Sequence, residues 1–257
     1  MSVQTTRSDS IATVTLDNPA RKNAVTDAMW GELESTLRAI ARDESVRVVV
    51  ITGSGDEFCS GADLSPGDAG AITAHWTRRM EQVNQAALAL HALPQPSIAR
   101  VDGVAAGAGA NLALGCDLVL ASDRSRFSEI FTKRGLSIDF GGSWLLPRLV
   151  GLHKAMELCL LAEIIDADEA ARIGLVNKVV PAADLDEAVT DWVDRLLALP
   201  PIALTSVKRL VHLGSQTSFP EALAAEGVAQ AVNFSTEDTT EAMVAFLQKR
   251  TPSFRGR

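Results

Sequence analysis

Apolar and polar residues alternate over residues 11–16, Ile-Ala-Thr-Val-Thr-Leu, which is the period of a half-buried strand; Asp17-Asn18-Pro19 closes it. Over residues 26–40 the period changes. Met29, Leu33, Leu37 and Ile40 recur at helical spacing, with Thr26 placed to cap the N-terminus. Residues 46–51 form a β-branched run bounded by Thr-Gly-Ser-Gly and predict a buried strand. Residues 56–70, rich in Gly, Asp and Ser, predict a loop, and residues 75–93 a helix that stops before Pro94. Short strands are predicted at 97–101 and 118–121. Between them lies an Ala/Gly-rich stretch, 104–115, that ends in a helix starting near Ala108. This alternation of strand and helix suits parallel crossovers. After Phe127 the pattern turns helical, with candidates at 142–150, 152–161, 184–199, 201–213, 220–232 and 236–248, and one further strand at 175–180. The expectation is an α/β core over residues 1–200 and a helical region over 201–257. The helical tail has apolar faces with no sheet left to cover, so they dock on the core or on another subunit.

Composition narrows the classes. The chain has 257 residues, 47% hydrophobic and 22% charged, enough apolar content for a substantial core. Its net charge of −8 argues against a general nucleic-acid binder, which needs a basic field. Some positive charge gathers at Lys249, Arg250, Arg255 and Arg257. Three cysteines (Cys59, Cys116, Cys159) are an odd count without zinc spacing, which fits a reducing cytosol. MSVQTTRSDS lacks an apolar signal core, and the longest apolar stretch is interrupted at Asn111 and closed by Asp117. A cytoplasmic protein that neither spans a membrane nor binds nucleic acid is expected.

Several motifs are ruled out on spacing. Gly107-Ala-Gly-Ala-Asn-Leu112 lacks the third glycine of a dinucleotide fingerprint. Gly141-Gly-Ser-Trp-Leu145 fails the last position of a serine nucleophile elbow. His75, His91, His153 and His212 are scattered, so no metal site is expected.

Two glycine-rich segments follow buried strands: Phe58-Cys-Ser-Gly-Ala-Asp-Leu64, and the run from Asp102 to Asp117 that contains Gly107-Ala-Gly109. Small residues let a backbone approach a ligand closely. A helix starting near Ala108 leaves its first N–H groups unpaired. Two N–H groups from different loops, converging on one oxygen, make an oxyanion hole, where one donor is worth about 2.7–4 kcal/mol in the transition state. The competing reading is that the small residues only permit tight helix–strand packing.

Taken together, F-x-x-G-A-D-L, D-G-x-A-x-G-x-G and the upstream Asn18-Pro-Ala-Arg-Lys-Asn23-Ala24 resemble the enoyl-CoA hydratase/isomerase (crotonase) superfamily. Ala245-Phe-Leu-Gln-Lys249-Arg250 resembles its C-terminal motif. The resemblance implies a ββα superhelix with C-terminal helices that build trimers or dimers of trimers. It implies an acyl-CoA thioester as substrate and no cofactor beyond the CoA that the substrate carries. It places the oxyanion-hole N–H groups at Ala62 and Ala108, with Gly107 beside them. It places CoA contacts at Arg21, Ala24, Ser60, Gly61, Asp63 and Leu64, and at Phe246 and Lys249, often from a neighbouring subunit. For Arg21 and Lys249 a solvated surface charge is the alternative.

The chain also departs from the family's hydratases, which carry two glutamates. Asn111 stands at the first position and Phe131 at the second, with Glu129 two residues off. A carboxylate appears instead at Asp139, in Gly135-Leu-Ser-Ile-Asp-Phe-Gly-Gly142. That segment resembles the branch containing 1,2-epoxyphenylacetyl-CoA isomerase and Δ3-Δ2 enoyl-CoA isomerases, where an aspartate here shuttles a proton. For Asp139 the alternative is a helix N-cap. Ile138 and Phe140 flank Asp139; lining the pocket, they would desolvate it and raise its proton affinity. Trp144 and Leu145 either wall an acyl pocket or pack in the core. The expected function is double-bond or epoxide isomerisation of an enoyl-CoA. The alternatives are a hydratase using Glu129 and an acyl-CoA-binding protein without turnover.

Overall fold

The computed structural model describes residues 1–64 and 76–257. The start of the predicted 75–93 helix and residues 65–70 of the predicted loop lie outside the described residues. The chain divides into two compact units, Met1–Leu93 with Ser97–Val189, and Pro94–Pro96 with Thr190–Arg257.

The first unit is built on a sheet. Its strands are β1 (Ser2–Ser8), β2 (Ile11–Asp17), β3 (Val48–Gly53), β4 (Ser97–Val101), β6 (Leu118–Ser122) and β9 (Lys178–Val180), hydrogen-bonded in the order β1-β2-β3-β4-β6-β9. Every pair is parallel except β1 with β2. All six residues of β3 are buried, which is why it reads as an unbroken apolar run; β2 shows alternating burial. Helix α1 (Asp27–Ala41) buries Met29, Trp30, Leu33, Leu37 and Ile40. Thr26 caps it, Oγ1 accepting from Met29 N at 3.3 Å. Helix α2 (Trp76–His91) contributes Val83, Ala86 and Leu90 to the same core.

A smaller sheet, β5-β7-β8, comprises β5 (Val104–Ala106), β7 (Arg126–Ser128) and β8 (Ile165–Asp166). Helix α3 (Ala108–Leu114) follows β5 and starts where the sequence places it, with all its residues buried. Helices α4 (Gly142–Val150), α5 (Leu152–Leu161) and α6 (Ala167–Arg172) complete this part of the unit. Helix α7 (Leu185–Leu197) runs across the division between the units.

The second unit carries α8 (Pro201–Gly214), α9 (Phe219–Phe234) and α10 (Glu237–Gln248). Within it, Thr205 Oγ1 and Lys208 Nζ donate to the carbonyls of Pro94 and Gln95, both at 3.0 Å. The last residues are tied down by buried Asp238, which accepts from the N–H groups of Arg255 and Gly256. Phe219, Val228, Phe246 and Leu247 remain exposed on these helices.

Three expectations about elements need correction. Strand β1 was not predicted, because Ser-Val-Gln-Thr-Thr-Arg-Ser has no apolar alternation; it is an exposed edge held by backbone pairing to β2. The strand expected at 175–180 shortens to Lys178–Val180, since Leu175 and Val176 turn inward as core residues after α6. Helix α6 was missed: it spans six residues, too short for helical periodicity to register.

The glycine pattern gives a test. A Cβ on Gly109 of α3 would lie 2.3 Å from the Cys59 carbonyl oxygen, whereas one on Gly31 of α1 would meet nothing within 4 Å. Gly109→Ala is therefore expected to lower stability by about 1–3 kcal/mol. In the same urea titration Gly31→Ala should raise it by about 0.5–1 kcal/mol, because alanine orders a helix at lower entropic cost. Equal effects would remove the close approach of α3 to the Cys59 loop as a constraint.

Candidate active site

The site begins with two buried asparagines. Asn23, fully buried, donates from Nδ2 to the carbonyls of Ser54 and Glu57 (2.9 and 2.6 Å), and its Oδ1 accepts from Asn18 N at 3.0 Å. Asn18 Nδ2 donates to the Ala24 carbonyl at 2.8 Å. These bonds fasten the turn after β2 to the loop after β3. The join continues through the backbone, with Val25 N donating to Gly61 O (2.8 Å) and Asp63 N to Val25 O (2.9 Å). In that parallel ladder the N–H of Ala62 alternates to the side away from Val25.

The other edge of the same loop joins β5. Cys59 N donates to Val104 O (2.8 Å) and Ala106 N to Cys59 O (3.0 Å). Gly107 then turns at φ +53° and opens α3, whose first N–H, that of Ala108, has no carbonyl four residues back in the helix. A Cβ on Gly61 would lie 2.9 Å from Ala106 O and 3.8 Å from Ala108 N, so the two loops meet here and only glycine fits. Among the described residues, neither Ala62 N–H nor Ala108 N–H takes a hydrogen-bond partner.

Both alanines line a cavity of about 800 Å³. Gly107, Ser60, Gly61, Asp63 and Leu64 line it from the same two loops, and Arg21 and Ala24 from the asparagine-fastened turn. Phe131 and Asp139 close it from the segment before α4. The cavity also takes Ala20, Lys22, Ala106, Ile130, Arg134 and Leu136, which sequence reasoning missed. The signal for Ile130 and Leu136 was their nearness to Phe131 and Asp139. Lys22 and Arg134 read as ordinary surface charges. Arg21 Nε approaches Asp63 Oδ2 at 3.8 Å, and Lys22 pairs with Glu57 at 2.7 Å.

Asp139 is the lining carboxylate that burial perturbs. Desolvation pushes it from its ordinary 3.8 up to about 6. Its Oδ1 is buried without a partner among the described residues. It does not cap α4; the cap is Gly141, with no side-chain bond. Behind it lies Asn111, fully buried, whose Nδ2 donates to the Asp139 carbonyl (3.0 Å) and to Glu129 Oε2 (3.3 Å). Glu129 is 4% exposed. Burial pushes it up to about 8, with the nearby Asp139 charge acting in the same direction and the Asn111 hydrogen bond against. A Cβ on Gly142 would lie 2.4 Å from the Asn111 amide, so α4 must begin with glycine for this cluster to close.

Some expected residues are not brought to the cavity. Asn111 stands behind Asp139 and not on the lining, because its amide is consumed by Glu129 and the Asp139 carbonyl. Phe140, at φ +49°, turns inward and packs on Trp30 with ring centroids 5.4 Å apart. Ile138 packs against the core too, so neither neighbour of Asp139 supplies its desolvation from the lining. Trp144 packs edge-on to His91 (5.5 Å) and carries the Arg148 guanidinium over its ring at 4.1 Å. Leu145 likewise packs on the core. Phe246 and Lys249 lie at the end of α10 in the second unit, Phe246 83% exposed and Lys249 the left-handed cap of the helix. Among the described residues no cluster of His, Cys, Asp and Glu is arranged to hold a metal ion, and no single helix is long and apolar enough to cross a membrane.

Comparison with known proteins shows the family and the fold. The family model described as enoyl-CoA hydratase/isomerase matches residues 6–257. A Rhodobacter capsulatus protein named "Probable enoyl-CoA hydratase" is 42% identical over 250 residues, covering 97% of this chain and 96% of that protein. The 1,2-epoxyphenylacetyl-CoA isomerase of Escherichia coli is 35% identical over 250 residues, covering 96% and 95%. A solved structure from Thermobifida fusca, in complex with CoA, superposes with a TM-score of 0.85 at 36% identity, covering 91% of this chain and 93% of that one.

The two raised carboxyls, Asp139 and Glu129, add a pH dependence of stability above the ordinary carboxylate range. Both are raised, so the folded protein holds protons that the unfolded chain releases. Their contribution is complete below the ordinary values of 3.8 and 4.5 and is lost as pH rises through about 6 for Asp139 and about 8 for Glu129. The melting temperature of the wild type should therefore fall more steeply between mildly acidic and alkaline pH than that of the double variant Asp139→Asn, Glu129→Gln. Parallel curves for the two proteins would mean that neither carboxyl is desolvated.

Proposed function

The chain belongs to the enoyl-CoA hydratase/isomerase family, and on that premise we propose that it isomerises the double bond, or an epoxide, of an acyl-CoA thioester, with Asp139 as proton shuttle. The observation that carries the reading is the pairing of one base with two donors. Asp139 lines the same cavity as Ala62 and Ala108, whose backbone N–H groups are without partners among the described residues. For a 3-enoyl-CoA, the Asp139 carboxylate takes a proton from the carbon next to the thioester carbonyl. The electron pair moves onto the carbonyl oxygen, where the two N–H groups receive the negative charge. Asp139 returns the proton at the far end of the old double bond, leaving a conjugated 2-enoyl-CoA and a regenerated carboxylate. One base suffices because the proton leaves and re-enters the substrate. Water addition gains from a second group, and Asn111 and Phe131 stand where the family's hydratases carry glutamates.

A base raised to about 6 is ionised at neutral pH yet holds a proton better than an ordinary aspartate, which suits a shuttle. Arg21, Lys22 and Arg134 give the cavity three cations for the CoA phosphates. The reaction takes no cofactor beyond the CoA of the substrate. We place Phe246 and Lys249 at a CoA site in the assembled protein, a cytoplasmic trimer or dimer of trimers joined through the exposed apolar faces of the second unit. A second reading, hydration with Glu129 as base, is favoured by the hydratase names among relatives.

Isomerisation of a 3-enoyl-CoA should appear as a gain in conjugated thioester absorbance at constant mass. Asp139→Asn should lower it by about 10²–10⁴-fold while leaving CoA-ester affinity in place. In the wild type, kcat/KM should fall as pH drops through about 6, because the base takes up its proton there. Turnover surviving in the Asn variant, or a 2-enoyl-CoA gaining the mass of water, would replace this reading with the second; CoA-ester binding without any turnover would leave an acyl-CoA-binding protein.

A further inference from the structure

Asp139 on the cavity wall and the buried Asn111 and Glu129 behind it have more acceptors than donors. Asn111 Nδ2 carries two hydrogens, one directed at Glu129 Oε2 and the other at the Asp139 carbonyl. That uses up the amide. Asn111 Oδ1 and Asp139 Oδ1 are still buried without a donor among the described residues. A buried acceptor left unpaired costs on the order of 1–3 kcal/mol. Among the described residues no cation acts on Asp139 or Glu129 to compensate. The titratable groups acting on Glu129 are the Asp139 carboxyl, on the loop before α4, and the Cys159 thiol on α5. Two ionised carboxylates here would be like charges in a low-dielectric site, and the amide donates to only one of them, that of Glu129.

We propose that Glu129 is a positioning residue that stays protonated: its hydroxyl supplies the missing donor to the Asn111 carbonyl, and the pair keeps Asp139 as the single ionised carboxylate of this three-residue cluster. The amide and the acid then form a closed ring, N–H to the acid carbonyl and O–H to the amide carbonyl. The ring fixes the Asn111 amide plane against Gly142, and the second amide hydrogen fixes the Asp139 backbone. Glu129 does not line the cavity, so its action passes through Asn111 and Asp139. Its deprotonation, near pH 8, would remove the donor and set a second negative charge beside the base. This rests on the isomerase reading above for its kinetic consequence, but not for the location of the proton.

Glu129→Gln keeps the shape and supplies an N–H donor in place of the hydroxyl, while Glu129→Leu keeps the volume and supplies none. The wild-type kcat/KM for a 3-enoyl-CoA is expected to decline on the alkaline side, near pH 8. The Gln variant should stay close to wild type at neutral pH and lose that decline. The Leu variant should lose kcat by about ten- to a hundredfold with KM little changed, as the base is misplaced. Carboxyl titration by ¹³C NMR, read without substrate, should show one glutamate titrating well above neutral in the wild type and absent from the Gln variant. Loss of activity in the Gln variant at every pH, an alkaline decline that persists in it, or glutamates that all titrate in the ordinary acidic range would overturn the proposal. Absence of isomerase turnover in a wild type that still shows the high-titrating glutamate would overturn the isomerase reading and leave the proton on Glu129.

Discussion

The close approach of α3 to the loop after β3 governs the rest of the site. Gly109 sits where any Cβ would strike the Cys59 carbonyl, and Gly61 sits where one would press on Ala106 O and Ala108 N. Two backbones can come this near only if the residues between them have almost no side chain. The approach aligns Cys59 with Ala105 and leaves Ala62 and Ala108 with N–H groups free of the ladders around them. The readings left open by the small residues, tight packing and a ligand-facing backbone, are therefore one arrangement. The packing of Gly109 and Gly61 creates the donors' positions.

Rigidity around that approach comes from polar groups that the hydrophobic pattern hides. Asn18 and Asn23 are buried, and Asn18 Nδ2 and both amide atoms of Asn23 are matched by backbone groups or Ser54. A satisfied network of this kind holds one geometry, because each alternative strands a donor or acceptor. The Asn111–Glu129–Asp139 cluster differs in having acceptors to spare. On the proposal made above, that excess is relieved by a proton on Glu129, next to Asp139.

The main sheet was legible because its central strands are buried on both faces and their apolar runs are long enough to register, as in Val48 to Ile51. Strand β1 was illegible for the opposite reason: most of its side chains face water, Val3 alone packs on the core, and its place is fixed by backbone pairing to β2. Strands β5, β7 and β8, at two or three residues each, are too short for any period. At the site, the glycine-rich loops were legible because a missing side chain is visible in the sequence itself, and Asp139 because its segment resembles the isomerase branch of the family. Phe140 and Trp144 were misplaced because an aromatic beside a candidate base looks the same whether it turns toward a ligand or toward Trp30 or His91. That choice lies in a single left-handed backbone turn at Phe140-Gly141.

The distribution of charge follows from the same construction. The chain carries a net charge of −8, yet Arg21, Lys22 and Arg134 stand on the cavity wall, while Asp139 lies on it half-buried and Glu129 behind it. A uniformly acidic wall would repel a polyphosphate-bearing ligand, and a cation beside Asp139 would hold its proton affinity at or below the ordinary value. Keeping cations among the exposed lining residues, with Arg21 beside Asp63, and away from Asp139 and Glu129 satisfies both demands at once. The exclusion is also what lets burial alone raise Asp139, with no charge nearby to oppose it, so the desolvated base and the cationic wall are two results of one segregation.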